Sequence, residues 1–121
     1  MREHLLLVCE LKEVEKSKVE KEVDSILELT ILGRHQHKLS KDLSGGMKRK
    51  LSLAMSFIGK SNVIILDEPT SGLDVDSRRQ VWDLIRQVKN TRSIIMSTQH
   101  IEEADELATQ VCILSHGQIV V

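Results

Sequence analysis

Apolar positions recur at helical intervals through the first half of the chain and bunch into short runs in the second. Leu6, Leu7 and Leu11, with Glu10 among them, stand at helix spacing near the start, and a charged turn over 13–17 interrupts them. Val19, Val23, Ile26 and Leu27 repeat at i, i+4, i+7 and i+8, which predicts an amphipathic helix that Gly33 is placed to stop. Residues 34–42 are polar and basic and read as a loop. Met47, Leu51, Ala54 and Ile58 form a third stripe behind Ser44, Gly45 and Gly46, so a helix starts at that serine or just after it.

Beyond residue 60 the period changes. Val63 to Leu66 is continuously apolar, as expected of a parallel strand covered on both faces. Val81, Leu84, Ile85 and Val88 predict the next helix, with Asp76 or Ser77 as its cap. Ser93 to Ser97 reads as a second short buried strand. A short helix carrying Ile101, Ala104, Leu107 and Ala108 follows, and its acidic first turn suits the helix dipole. Val111 to Leu114 and Ile119 to Val121 flank a hairpin-like turn at 115–118. Strand, helix, strand, helix, strand predicts an α/β layer of parallel strands. The class is therefore α/β: a helical block, then half of a parallel sheet with flanking helices.

Composition narrows the possibilities. The 121 residues suffice for at most one domain with a modest core. Seventeen basic and eighteen acidic residues give a net charge of −1, and the balance holds locally, +2 over residues 1–50 and −3 over 51–121. Neither half is a polycation, so nucleic acid and acidic lipid are not the partners this charge pattern suggests. No apolar run approaches the roughly 20 residues of a membrane helix, and no signal peptide is expected behind Glu3 and His4. Cys9 and Cys112 stand among apolar residues and read as buried free thiols of a cytosolic protein.

Two groups of residues carry chemistry. Val63-Ile64-Ile65-Leu66-Asp67-Glu68 is a strand that ends in adjacent carboxylates, which places both at the sheet edge where α/β proteins bind ligands. One carboxylate can hold Mg²⁺ while its neighbour polarises a water, a division suited to phosphoryl transfer. A solvated strand end before a proline turn is the plainer explanation. Leu43-Ser44-Gly45-Gly46 opens a helix, and a serine hydroxyl with consecutive backbone N–H groups there forms an anion site. In isolation it would be an ordinary N-cap.

Together, Leu43 to Lys50 and Val63 to Asp74, one helix apart, resemble the nucleotide-binding domain of ATP-binding cassette (ABC) transporters, with its signature, Walker B strand and D-loop in order. Ser77 to Trp82 and Ile101 to Asp105 extend the likeness, and the Gly-Met-Lys-Arg-Lys continuation is most similar to the ABCA subfamily of lipid transporters. The resemblance implies a partial P-loop NTPase fold. Residues 1–59 would be part of the helical signature subdomain and 60–121 the Walker B, D-loop and switch part of the ATPase core, together one incomplete domain. It also implies ATP and Mg²⁺ as cofactors. Asp67 would organise the metal and Glu68 would be the general base. Ser44, Gly45 and Gly46 would contact the γ-phosphate of a nucleotide held by an opposing domain in a head-to-tail dimer, and Asp74 would tie the two sites together. Transmembrane domains of a transporter are the other implied partners, which sets the chain on the cytoplasmic face of a membrane.

Two departures from that family matter. No G-x-x-x-x-G-K-[S/T] occurs in the chain; Gly59-Lys60-Ser61 follows a helix and enters a strand, the reverse of a P-loop. The family's P-loop, adenine-stacking aromatic and Q-loop lie upstream of the matched region, so the chain resembles a carboxyl-terminal half. The family's switch histidine falls at Gln99, with His100 one residue later. Glutamine can hydrogen-bond a phosphate but carries no proton or charge near neutral pH. Gln99 is the favoured switch residue, because the acidic helix after it fixes the register, with His100 as the substitute. A non-hydrolytic module that supplies the signature in trans to a complete cassette domain is the alternative function. DNA-maintenance ATPases of the same family carry long coiled coils, and only residues 18–29 approach a heptad run here. His35 and His37 lack further ligands for zinc. Lys48 to Lys50 are either a solvated helix face or a partner contact, and Trp82 is expected to pack. Half a sheet is expected to leave apolar surface uncovered and solubility poor.

Overall fold

The computed structural model describes residues 1–120. Among them α1 (Arg2–Leu11), α2 (Val19–Leu29) and α3 (Gly45–Phe57) precede β1 (Val63–Asp67), α4 (Val75–Lys89), β2 (Ser93–Ser97) and α5 (Ile101–Leu107), and the short strands β3 (Leu114–Ser115) and β4 (Gln118–Ile119) close the order. The segment read as a loop over 34–42 holds two 3₁₀ turns, Gly33–His35 and Ser40–Asp42.

The core lies where α1 to α4 meet, around Leu5, Cys9, Val23, Leu27, Ala54, Phe57, Val81 and Ile85. In α1 the inward face is Met1, Leu5 and Cys9, whereas Leu7 and Leu11, part of the predicted stripe, are exposed. Apolar residues surround this helix on several sides, so periodicity alone does not choose between faces. In α4 the predicted positions are the buried ones, and in α2 all of them are except Val19, which is half-buried.

Helix α2 stops four residues before Gly33. The amides of Ile31 and Leu32 donate back to Glu28 (2.9 Å) and Leu27 (2.9 Å), and Ile31 takes the left-handed conformation, φ 58°. That is the reciprocal C-terminal bond pattern normally built on glycine, here accepted by a β-branched residue at a steric cost. Helix α1 ends the same way on Glu13, φ 54°.

Strands β1 and β2 pair in parallel, with Ile64 opposite Ile94 and Asp67 opposite Ser97. The β1 pattern alternates. Ile64 and Leu66 are buried, but Val63 is 51% and Ile65 75% exposed, with Ile95 of β2 exposed beside them. The expectation of burial on both faces fails because the described elements pack against one face only. The third parallel strand is also absent among the described residues: β3 and β4 form a separate antiparallel hairpin. Its turn residues His116 (φ 49°) and Gly117 (φ 76°) are both left-handed, as the favoured two-residue hairpin requires. Residues 111–113 enter no strand, and Cys112 is exposed, contrary to expectation, because none of the described residues packs over this segment.

Candidate functional site

Ser44 holds an extended backbone, φ −63° and ψ 162°, so α3 begins at Gly45. Its Oγ accepts from the Met47 amide at 3.2 Å, and its carbonyl accepts from the Lys48 amide. The first-turn amides of Gly45 and Gly46 have no intrahelical acceptor, as at every helix start. Ser44 and Gly45 are exposed and Gly46 half-buried, so these donors lie at the surface. Gly46 also permits close packing: a Cβ there would stand 3.2 Å from Ser77 Oγ on α4.

Asp67 ends β1 on its exposed face, and one carboxylate oxygen, Oδ1, accepts from the Ser97 hydroxyl of β2. Glu68 leaves the strand in the left-handed conformation, φ 46°, half-buried. Its amide donates to the Ser97 carbonyl at 3.1 Å and Ser97 Oγ at 3.2 Å, and its carbonyl accepts from the Ser71 amide at 3.1 Å. Ser97 thus serves both carboxylate residues. Its sequence signal was its place at the end of the next parallel strand, in register with Asp67.

The basic triplet resolves into three separate roles. Arg49 donates from Nε to the Pro69 carbonyl at 2.6 Å and from Nη2 to the Glu68 carbonyl. Lys50 donates to the Gln80 side chain, and burial pushes its ammonium pKa down. Lys48 is exposed and lines an open cleft of about 520 Å³ with Gly45, Arg49, Ser52, Ser71, Gly72 and Leu73. This cleft lies between α3 and the turn after Pro69 and does not include Asp67 or Glu68.

Asp74 caps α4, two residues earlier than the predicted Asp76 and three before Ser77. One of its oxygens accepts from the Ser77 amide at 2.9 Å and the other from the Ser77 hydroxyl at 2.7 Å. These bonds, the amide first and the hydroxyl second, hold its carboxyl below the usual carboxylate range. Gln99 is exposed just beyond β2, and half-buried His100 is the residue before α5, its amide donating to Thr98 Oγ1 at 3.0 Å. Sequence reasoning missed Glu103, which is 0% exposed and accepts from Trp82 Nε1 at 2.9 Å while its second oxygen has no partner. Ile101, predicted on the inner face of this helix, is 86% exposed. Among the described residues no three His, Cys, Asp or Glu side chains group as metal ligands, His35 and His37 included.

Comparison with known proteins decides the affiliation. Residues 2–71 match the family model described as ABC transporter. The chain belongs to the ABC transporter family. It is 46% identical over 119 residues to rat ATP-binding cassette sub-family A member 2, an alignment that covers 98% of this chain and 5% of the relative. It is 44% identical over 117 residues to the human retinal-specific phospholipid-transporting ATPase ABCA4, covering 97% and 5%. With the mouse glucosylceramide transporter ABCA12 it shares 46% identity over 118 residues, covering 96% and 4%. This member of the ABC family therefore spans about a twentieth of the length of these relatives, and its helices and small parallel sheet agree with part of an ABC ATPase fold. No described helix is long and apolar enough to cross a membrane.

Proposed function

We propose that these residues belong to the ATP-hydrolysing domain of an ABC transporter that moves lipid across a membrane, and that they act at its cytoplasmic face. The observation that carries this reading is the exposed start of α3, where the Ser44 hydroxyl and the amides of Gly45 and Gly46 are free to meet a phosphate. The names of the relatives, phospholipid-transporting ATPase and glucosylceramide transporter, support lipid as the cargo class. In this reading residues 1–59 are the signature subdomain and 60–121 part of the ATPase core, and a second nucleotide-binding domain and transmembrane domains are the partners.

The donor sets fit the implied cofactors. Asp67 Oδ2 makes no hydrogen bond among the described residues and is a hard oxygen on an exposed carboxylate, suited to Mg²⁺. A single protein carboxylate suffices where phosphate oxygens and water complete the metal's shell. Mg²⁺ supplies charge neutralisation between phosphate oxygens when bound. Asp67 would hold it, Glu68 would accept the proton of the attacking water, and the Gln99 amide would hydrogen-bond the γ-phosphate without taking a proton. Asp74 would couple the two sites through the acceptor capacity its exposed oxygens keep beyond the Ser77 cap.

The test is a chimera in which this chain replaces the aligned segment of the rat relative. We expect ATP hydrolysis, and a fall of about 10²–10⁴-fold in kcat for Glu68→Gln with nucleotide binding kept. A chimera that folds and binds ATP while hydrolysis ignores Glu68→Gln removes the base assignment. The non-hydrolytic reading, a module that presents Ser44 to Gly46 to a complete cassette domain, is favoured by Gln99 at the switch position, where an amide carries no proton. It predicts that the chain promotes ATP-dependent association of a complete domain. Unchanged association and unchanged ATPase rate count against it.

A further inference from the structure

We propose that Arg49 is a positioning residue that locks Glu68 in its left-handed conformation and so ties the carboxylate's placement to the signature helix. The inference rests on the reading of Glu68 as the general base, but its geometry stands apart from that role. A glutamate at φ 46° persists only where its surroundings hold both of its peptide groups. On the amino side, the Glu68 amide is engaged by the Ser97 carbonyl and hydroxyl at the end of β2. On the carboxyl side, the Glu68 carbonyl receives Nη2 of Arg49 and the Ser71 amide, and the next carbonyl, Pro69, receives Nε of Arg49 at 2.6 Å. The guanidinium thus bridges two consecutive carbonyls with two of its donors, a fork that lysine's single ammonium cannot reproduce in full. Arg49 follows Ser44 by little more than one helical turn, so the start of α3 and the Glu68 backbone are linked through one guanidinium fork.

The test uses the isotopically labelled 121-residue chain by NMR, with Ile65→Lys in every sample to limit association through the exposed sheet face, as the otherwise wild-type chain, Arg49→Lys and Arg49→Met. In wild type the Arg49 Nε–H exchanges slowly with solvent, and Glu68 shows the carbon shifts of a left-handed residue. In Arg49→Met the Glu68 shifts leave that range and the Ser71 amide exchanges roughly 10- to 100-fold faster, the range implied by loss of charge-assisted bonds to this turn. Arg49→Lys recovers part of both effects. Amides of Leu27 in α2 and Ile85 in α4 keep their protection. A solvent-averaged Arg49 Nε–H in wild type overturns the proposal even if the variants fail to fold. So does an Arg49→Met chain whose Glu68 shifts and Ser71 exchange are unchanged, or one in which protection falls equally everywhere. These readouts need no hydrolysis, so loss of the base assignment in the chimera would leave them intact and the two failures separable.

Discussion

Asp74 shows how a single carboxylate can be committed locally before any partner arrives. Both oxygens face Ser77, and the bonds they accept favour the ionised form. A carboxyl whose pKa is depressed on folding contributes stability in full above its unfolded value, near 3.9, and loses it as the pH falls through the lower folded value. Acid should therefore fray the first turn of α4. Asparagine caps as well as aspartate but does not titrate. We expect Asp74→Asn to keep wild-type helicity at neutral pH and to flatten the stability loss below about pH 4, measured by urea unfolding followed by circular dichroism. Identical acid limbs in the two proteins would show that the Asp74 charge contributes nothing. Periodicity pointed to Asp76 or Ser77 as the cap, and Asp74 takes that place instead. Only Asp74 stands three residues ahead of a second hydroxyl donor that can return a bond, and that discriminates once the helix start is known.

At the scale of elements, the end of α3 is built from residues far away in sequence. Lys12 Nζ donates to the carbonyls of Ile58 (2.8 Å), Ser56 (3.1 Å) and Met55 (3.3 Å), and Arg92 donates to Phe57 at 2.5 Å. Four consecutive carbonyls, which a helix end would leave without partners, are met by two cations at the negative pole of the dipole. Burial pushes the Lys12 pKa down, and the nearby Arg92 charge adds to that. Lys12→Met keeps the apolar stem packed near Gly59 and removes the charge. We expect a loss of about 1–2 kcal/mol by chemical denaturation, the low side of a charged hydrogen bond because Lys12 is largely exposed. A change of less than about 0.3 kcal/mol would mean that water caps the helix equally well. Nothing in the sequence marked Lys12. It stands between α1 and the charged turn over 13–17, one charge among several, and its partners lie more than forty residues on. The start of α3 was legible for the opposite reason, since Ser44 and Met47 bond across three residues.

For the whole molecule, the same distinction separates what was readable from what was not. Local order, the helix faces of α2 and α4 and the parallel pairing of β1 with β2 follow from periodicity and composition. The run Val63 to Leu66 also predicted cover on both faces, and there the reading fails: hydrophobicity records the environment a strand requires, not which segment supplies it. Val63, Ile65 and Ile95 consequently form an exposed apolar strip on a two-stranded sheet with open edges. Monomers rarely leave such surface bare, because burying it against a second copy removes apolar area from water at roughly 25 cal/mol per Å² and pairs free strand edges as well. Self-association is thus the expected behaviour of this chain in solution. Ile65→Lys places a charge at the most exposed point of the strip, where the side chain has little packing to lose, so monomer stability should change by no more than about 0.5 kcal/mol. Sedimentation velocity across a concentration series should then show oligomers for the wild type and a larger monomer fraction for Ile65→Lys, and Phe57→Lys cannot stand in for it because Phe57 is core. A wild type that stays monomeric up to its solubility limit, or a variant that associates just as strongly, would place the adhesive surface elsewhere than on this sheet.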